Sequence, residues 1–110
     1  MQKYVIYCPL QVADQDGLPC AYAFNVVGIL TDKLTAAFGG ATVDNCDAYG
    51  YWETPDLNVV LDRVAMVHVL VASTEDWNDK APDIMRWLKS YTNQQQMLVT
   101  MSHVEVIRGF

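Results

Sequence analysis

The chain lacks most of the signals by which a small enzyme is recognised. Its three cysteines, Cys8, Cys20 and Cys46, are an odd number with no CxxC pair. That excludes a disulfide framework and a zinc ribbon, and leaves reduced thiols that mostly fill space. The two histidines, His68 and His103, each stand in a strand-like run without a neighbour at metal-ligand spacing, and His68 is read as a hydrogen-bonded histidine at an interface. There is no GxSxG, Walker loop, GxGxxG or HExxH. Gly39-Gly40 is too short to cradle phosphates and reads as a helix C-cap. Asp14-Gln15-Asp16-Gly17 is a turn that lacks the further ligands and closing Glu of a calcium loop, so no metal is expected. Basic residues are few and scattered, seven against thirteen acids for a formal charge of −6, which speaks against a nucleic-acid partner. No apolar run approaches a membrane span, and Met1-Gln2-Lys3-Tyr4 lacks the pattern of a signal peptide. The expectation is a protein of the cytoplasm that engages no membrane.

What is present is apolar. Hydrophobic residues make up 52% of 110 positions and charged ones 18%, a balance that folds, as one domain over residues 1–110. Lys3 to Leu10, rich in β-branched and aromatic residues, predicts a first strand. Apolar side chains at Ala23, Val26, Val27, Leu30, Leu34, Ala37 and Phe38 predict a helix over 21–38 that Gly39-Gly40 ends. Ala41 to Trp52 predicts a strand, irregular around Asp44-Asn45, and Thr54-Pro55-Asp56 a turn. Asn58 to Ala72 predicts a long strand. Ile84, Met85, Leu88 and Tyr91 predict a helix over about 79–91, with Pro82 in its first turn. Gln96 to Ile107 predicts the closing strand.

The order βαββαβ implies an α+β, ferredoxin-like sandwich of four antiparallel strands with two helices on one face. From Val64 to Ala72 both strand parities are apolar: Ala65, Val67, Val69 and Val71 on one face, Val64, Met66, Leu70 and Ala72 on the other. Two helices cover one face only, so the second needs another copy of the chain. A homo-oligomer is expected, either a dimeric α+β barrel or a PII-like trimer.

The residues that suggest chemistry are Tyr51, Trp52, Glu53 and Asp62. An aromatic face stacks on a base or holds a cation, and a nearby carboxylate fixes an ammonium or a sulfonium. The same four residues also fit a subunit interface with solvated acids at a hairpin end. Both readings stand on the sequence.

Two resemblances follow from these residues. Phe38-Gly39-Gly40-Ala41-Thr42, Gly50-Tyr51-Trp52, Asp62 and the Val-rich strand resemble a group of small bacterial and phage proteins without a clear activity. The chain is also similar to the phage S-adenosylmethionine lyases, which are trimers with a PII-like fold. The matching positions are Gly39-Gly40, Gly50-Tyr51-Trp52, Asp62, Val67-His68-Val69, Trp87 and Gln94 to Val99. Where that family typically carries Glu, this chain has Asp62, one methylene shorter.

The second resemblance implies cleavage of S-adenosylmethionine to methylthioadenosine and homoserine lactone, with no cofactor, at a site between subunits of a trimer. It implies Asp62 and Tyr51 as catalytic residues and Trp52, Glu53 and Thr42 as substrate-binding residues. A phage-borne copy would work in the host cytoplasm. A non-enzymatic PII-like ligand- or protein-binding module, and a dimeric α+β-barrel enzyme with His68 and Trp52 in its pocket, are the alternatives.

Overall fold

A computed structural model describes residues 1–53 and 56–107. Four strands, β1 (Gln2–Pro9), β4 (Thr42–Glu53), β5 (Val59–Val71) and β6 (Val99–His103), form one antiparallel sheet in the order β4-β5-β1-β6. Helices α1 (Val26–Phe38) and α2 (Thr74–Thr92) connect them, giving the expected ferredoxin-like α+β arrangement. A small hairpin of β2 (Gln11–Ala13) and β3 (Pro19–Tyr22) sits between β1 and α1.

That hairpin shortens the expected first helix. The Asp14 carboxylate accepts from the amides of Asp16 and Leu18, both at 2.9 Å, a local turn that folds the chain back before a helix can start. The Ala23 amide donates to Leu10 at 2.8 Å, so residues 19–23 are spent on strand-like pairing. Val26, Leu30 and Leu34 remain the buried stripe of α1. Gly39 (φ 92°) closes the helix in the left-handed region, its amide donating to Thr35, as Gly39-Gly40 led us to expect.

The second helix differs in the other direction. It starts at Thr74 and places Pro82 inside its body rather than in its first turn. The Ser73 side chain accepts from the Asp76 amide at 3.1 Å, and Glu75 and Asp76 put negative charge on the first turn. These two features anchor the N-terminus a full two turns before the proline. The missing amide at Pro82 costs about 3 kcal/mol, offset by burial of Ala81 before it and of Ile84 and Leu88 beyond it. Replacing Ser73 with Ala should lower stability by about 1 kcal/mol, read as a fall in urea midpoint at unchanged m-value; an unmoved midpoint would show that the cap adds nothing.

The core lies between the helices and one sheet face. Tyr4, Ile6 and Cys8 of β1 and Ala65, Val67, Val69 and Val71 of β5 pack on Leu30, Leu34, Ile84 and Leu88. Tyr4 stacks on Trp77 with ring centroids 3.8 Å apart. Its hydroxyl donates to Gln2 (2.7 Å), whose amide donates to Thr74 (2.6 Å), so the buried polar ends of β1 are satisfied by the start of α2. Burial pushes the Cys8 thiol up to about 12, which keeps it protonated and inert. Cys20 and Cys46, in contrast to the space-filling role expected of them, are exposed.

The opposite sheet face is open in the single chain. Val5 and Val64 are buried, Met66 and His68 half-buried, and Leu70 and Thr100 exposed. Beyond the helices, β4 and β5 continue as a two-stranded arm, and the molecule extends 50 × 24 × 22 Å. Its radius of gyration of 14.7 Å exceeds the roughly 13 Å of a compact chain this long. Of the expected turn at 54–56, Thr54 and Pro55 lie outside the described residues. The closing strand is shorter than expected, because only residues 99–103 pair with β1.

Candidate functional site

The arm carries the aromatic and acidic residues. Its register is regular: Gly50 opposes Asp62, Tyr51 opposes Leu61, Trp52 opposes Val60 and Glu53 opposes Val59. Side chains alternate along a strand, and directly opposed residues share a face. Gly50, Trp52, Val60 and Asp62 therefore lie on one face of the arm, continuous with the open sheet face. Tyr51, Glu53, Val59 and Leu61 lie on the other. The four residues singled out from the sequence are thus divided two and two by strand parity.

The Asp62 side of the arm is shaped by a glycine. A Cβ at Gly50 would meet the Trp52 indole Nε1 at 3.0 Å, so the ring leans over the position directly across from Asp62. Desolvation raises the Asp62 carboxyl above its ordinary value, the only upward shift resolved for a carboxylate among the described residues. A carboxylate that has lost part of its water and has no basic partner is poised to receive a cation. The next residue, Arg63, points to the opposite face, where it donates from Nε to Asp47 at 2.9 Å and makes a second bond from Nη2. That hydrogen bond, with the charge of Arg63, holds Asp47 below the usual carboxylate range. Arg63 is thereby committed to Asp47, and among the described residues no basic side chain compensates Asp62.

Thr42 lies elsewhere. It opposes His68 at the other end of β5, six residues from Asp62, about 20 Å along the strand. Here an open groove of about 710 Å³ runs between the end of α1 and the sheet, lined by Lys3, Phe38, Gly40, Thr42, Asp44 and His68. The start of β4 is irregular, with register shifts between Val43 and Asn45 and between Asn45 and Ala48, as the Asp44-Asn45 pair suggested. The first shift turns Asp44 toward His68, with Oδ2 and Nε2 3.3 Å apart. They are close enough for an ion pair, yet the alignment is not that of a hydrogen bond, and Nε2 is buried without a hydrogen-bond partner. The groove was not among the features legible in sequence. Only the Gly39-Gly40 turn and the adjacent Thr42 pointed to it, because the Asp44–His68 approach depends on a bulge.

Among the described residues no cluster of three or more His, Cys, Asp or Glu side chains is placed to hold a metal. No helix among them is long and apolar enough to cross a membrane.

The fold is shared with a phage SAM lyase. That solved structure, in complex with S-methyl-5'-thioadenosine, matches 92% of this chain and 79% of its own at a TM-score of 0.66, with 18% identity. At that identity the likeness establishes the fold. No family model matches the chain, and no curated protein matches it.

Proposed function

We propose that this protein is an S-adenosylmethionine lyase acting at a site formed between copies of the chain. The observation that carries the reading is the uncompensated, partly desolvated Asp62 beside Trp52, on a fold shared along nearly its whole length with a phage SAM lyase bound to S-methyl-5'-thioadenosine. In the reaction the substrate's own carboxylate oxygen forms a bond to its γ-carbon. The bond from that carbon to sulfur breaks, and its electron pair neutralises the sulfonium. Methylthioadenosine leaves and homoserine lactone remains. No proton is transferred and no external nucleophile is consumed.

The protein's task is therefore to hold the reactive conformer and to manage charge. Asp62 pairs with the substrate ammonium and steers the cation into place. Trp52 supplies a stacking wall on the same face. Tyr51 and Glu53, on the other face of the arm, and Thr42, about 20 Å away along β5, reach the same substrate only from another copy. Heterologous association of arm with groove closes into a ring, and a trimer is the assembly that fits. Apolar side chains bare in the single chain support this: Tyr51 is 71% exposed, Val59 70% and Leu70 43%. The enzyme works in the cytoplasm, that of the host where the gene is phage-borne.

Purified protein incubated with S-adenosylmethionine is expected to yield methylthioadenosine and homoserine lactone faster than a protein-free control, resolved by chromatography. An unchanged substrate peak would overturn the lyase reading, and saturable binding without product would put a PII-like binding module in its place. A dimer by sedimentation would favour the α+β barrel.

A further inference from the structure

The arm accounts for the cation, but S-adenosylmethionine also carries a carboxylate that must be held in position to attack. We infer that Lys3 and His68, in the groove at the end of α1, receive the ligand's α-carboxylate. The inference rests on the lyase reading for the identity of the ligand and on separate observations for the site.

Register brings the residues together. Val5 and Thr42 both oppose His68, from β1 on one side and β4 on the other, and Lys3 opposes Leu70 two residues along β5. Lys3 and His68 are diagonal neighbours on the open sheet face, a separation that long side chains bridge. Thr42 stands beside them with a hydroxyl. All three line the same groove.

Their chemistry is unusual for this chain. In a protein of net charge −6, this corner sets an ammonium and an imidazole against one acid, Asp44. Asp44 stands 3.3 Å from His68 Nε2 but makes no hydrogen bond to it. His68 is mostly covered, its side chain 17% exposed, and its Nε2 is the one buried side-chain polar atom without a hydrogen bond among the described residues. A buried imidazole nitrogen without a hydrogen bond is costly unless something supplies one. A ligand carboxylate does so. It accepts from Lys3 and Thr42, draws the imidazole into the cluster, and leaves one oxygen free for attack on the γ-carbon. The acid that meets the ligand's ammonium, Asp62, then comes from the arm of the neighbouring copy, which the length of the ligand alone cannot span within one chain.

Two probes separate this from a structural role. S-adenosylhomocysteine keeps the amino-acid carboxylate and is not a sulfonium; S-methyl-5'-thioadenosine lacks the amino-acid end. In calorimetric titrations, His68→Gln and Lys3→Met are each expected to weaken S-adenosylhomocysteine by about tenfold or more, the worth of a hydrogen bond to a charged group. S-methyl-5'-thioadenosine should change by less than about twofold. Equal weakening of both probes, or of neither, overturns the inference while leaving the lyase reading intact. Wild-type protein that binds neither probe removes the lyase reading, and this inference with it. Lys3→Met, at a half-buried position near the start of β1, keeps the aliphatic stem and removes only the charge, so the assay stays informative should His68→Gln disturb the sheet.

Discussion

Asp62→Asn is expected to reduce turnover of S-adenosylmethionine by about 10²–10³-fold while leaving fold and assembly unchanged. The substitution is isosteric, so it opens no cavity and removes only the charge. That charge matters because it is partly desolvated and, among the described residues, unpaired: Arg63 is occupied by Asp47 on the other face, and burial has already raised the Asp62 carboxyl. A charge in such surroundings acts on a bound cation more strongly than one in water.

The shift also fixes the sign of the pH dependence. The folded protein binds this proton more tightly than the unfolded chain does. The group's favourable contribution to stability is therefore full below the unfolded pKa and is lost as pH rises through the folded one. Asn at this position should be no less stable than Asp at neutral pH, so lost activity cannot be blamed on unfolding. The value of kcat/KM, which needs the ionised form, should fall on the acid side at a pH above that of an ordinary aspartate, and Asp62→Asn should abolish that limb. The measurement is kcat/KM by product chromatography across pH, which reads the ionisation of the ligand-free protein, with sedimentation velocity on the same samples. A folded, assembled Asp62→Asn protein with full activity would remove Asp62 from the site.

Leu34→Ala is expected to cost about 2–5 kcal/mol, a large part of the 5–15 kcal/mol typical of a domain. Leu34 is fully buried on α1, within the cluster of β1, β5 and α2 side chains that holds the helices to the sheet. Truncation there loses transfer free energy and leaves a cavity that two helices and a sheet cannot close. Urea unfolding followed by circular dichroism reads the loss as a lower midpoint. Leu61→Ala is the control, since Leu61 is 44% exposed on the arm. Its effect should fall on assembly rather than on the folding of one chain. A Leu34→Ala midpoint equal to wild type would mean that α1 is not held by this stripe.

The candidate site was only partly legible beforehand. Asp62 stood out as an acid heading an apolar strand, and the aromatic pair Tyr51-Trp52 stood out by composition. Neither property carries parity, which is why all four arm residues looked like one cluster. Pairing of Gly50 with Asp62 then put Trp52 beside the acid and Tyr51 behind it. Asp44 and His68 are 24 positions apart in sequence, and nothing in either neighbourhood joins them. A β-bulge brings them within 3.3 Å, and a bulge is set by how two strands accommodate an extra residue, not by local propensity.

The sequence by itself determined the βαββαβ order, the helical stripe that includes Val26, Leu30 and Leu34, the Gly39 cap and the apolar character of both faces from Val64 to Ala72. Each of these is a short-range pattern with a period of 3.6 or 2, or a residue whose backbone preference is intrinsic. Tertiary structure decided where α1 begins, because the Asp14 turn and the Ala23–Leu10 hydrogen bond claimed residues 19–23. It also decided that α2 runs through Pro82, since packing on both sides of the proline outweighs one missing amide. It decided which acids stand alone, because Arg63 can neutralise Asp47 or Asp62 but, on a pleated strand, faces only one of them.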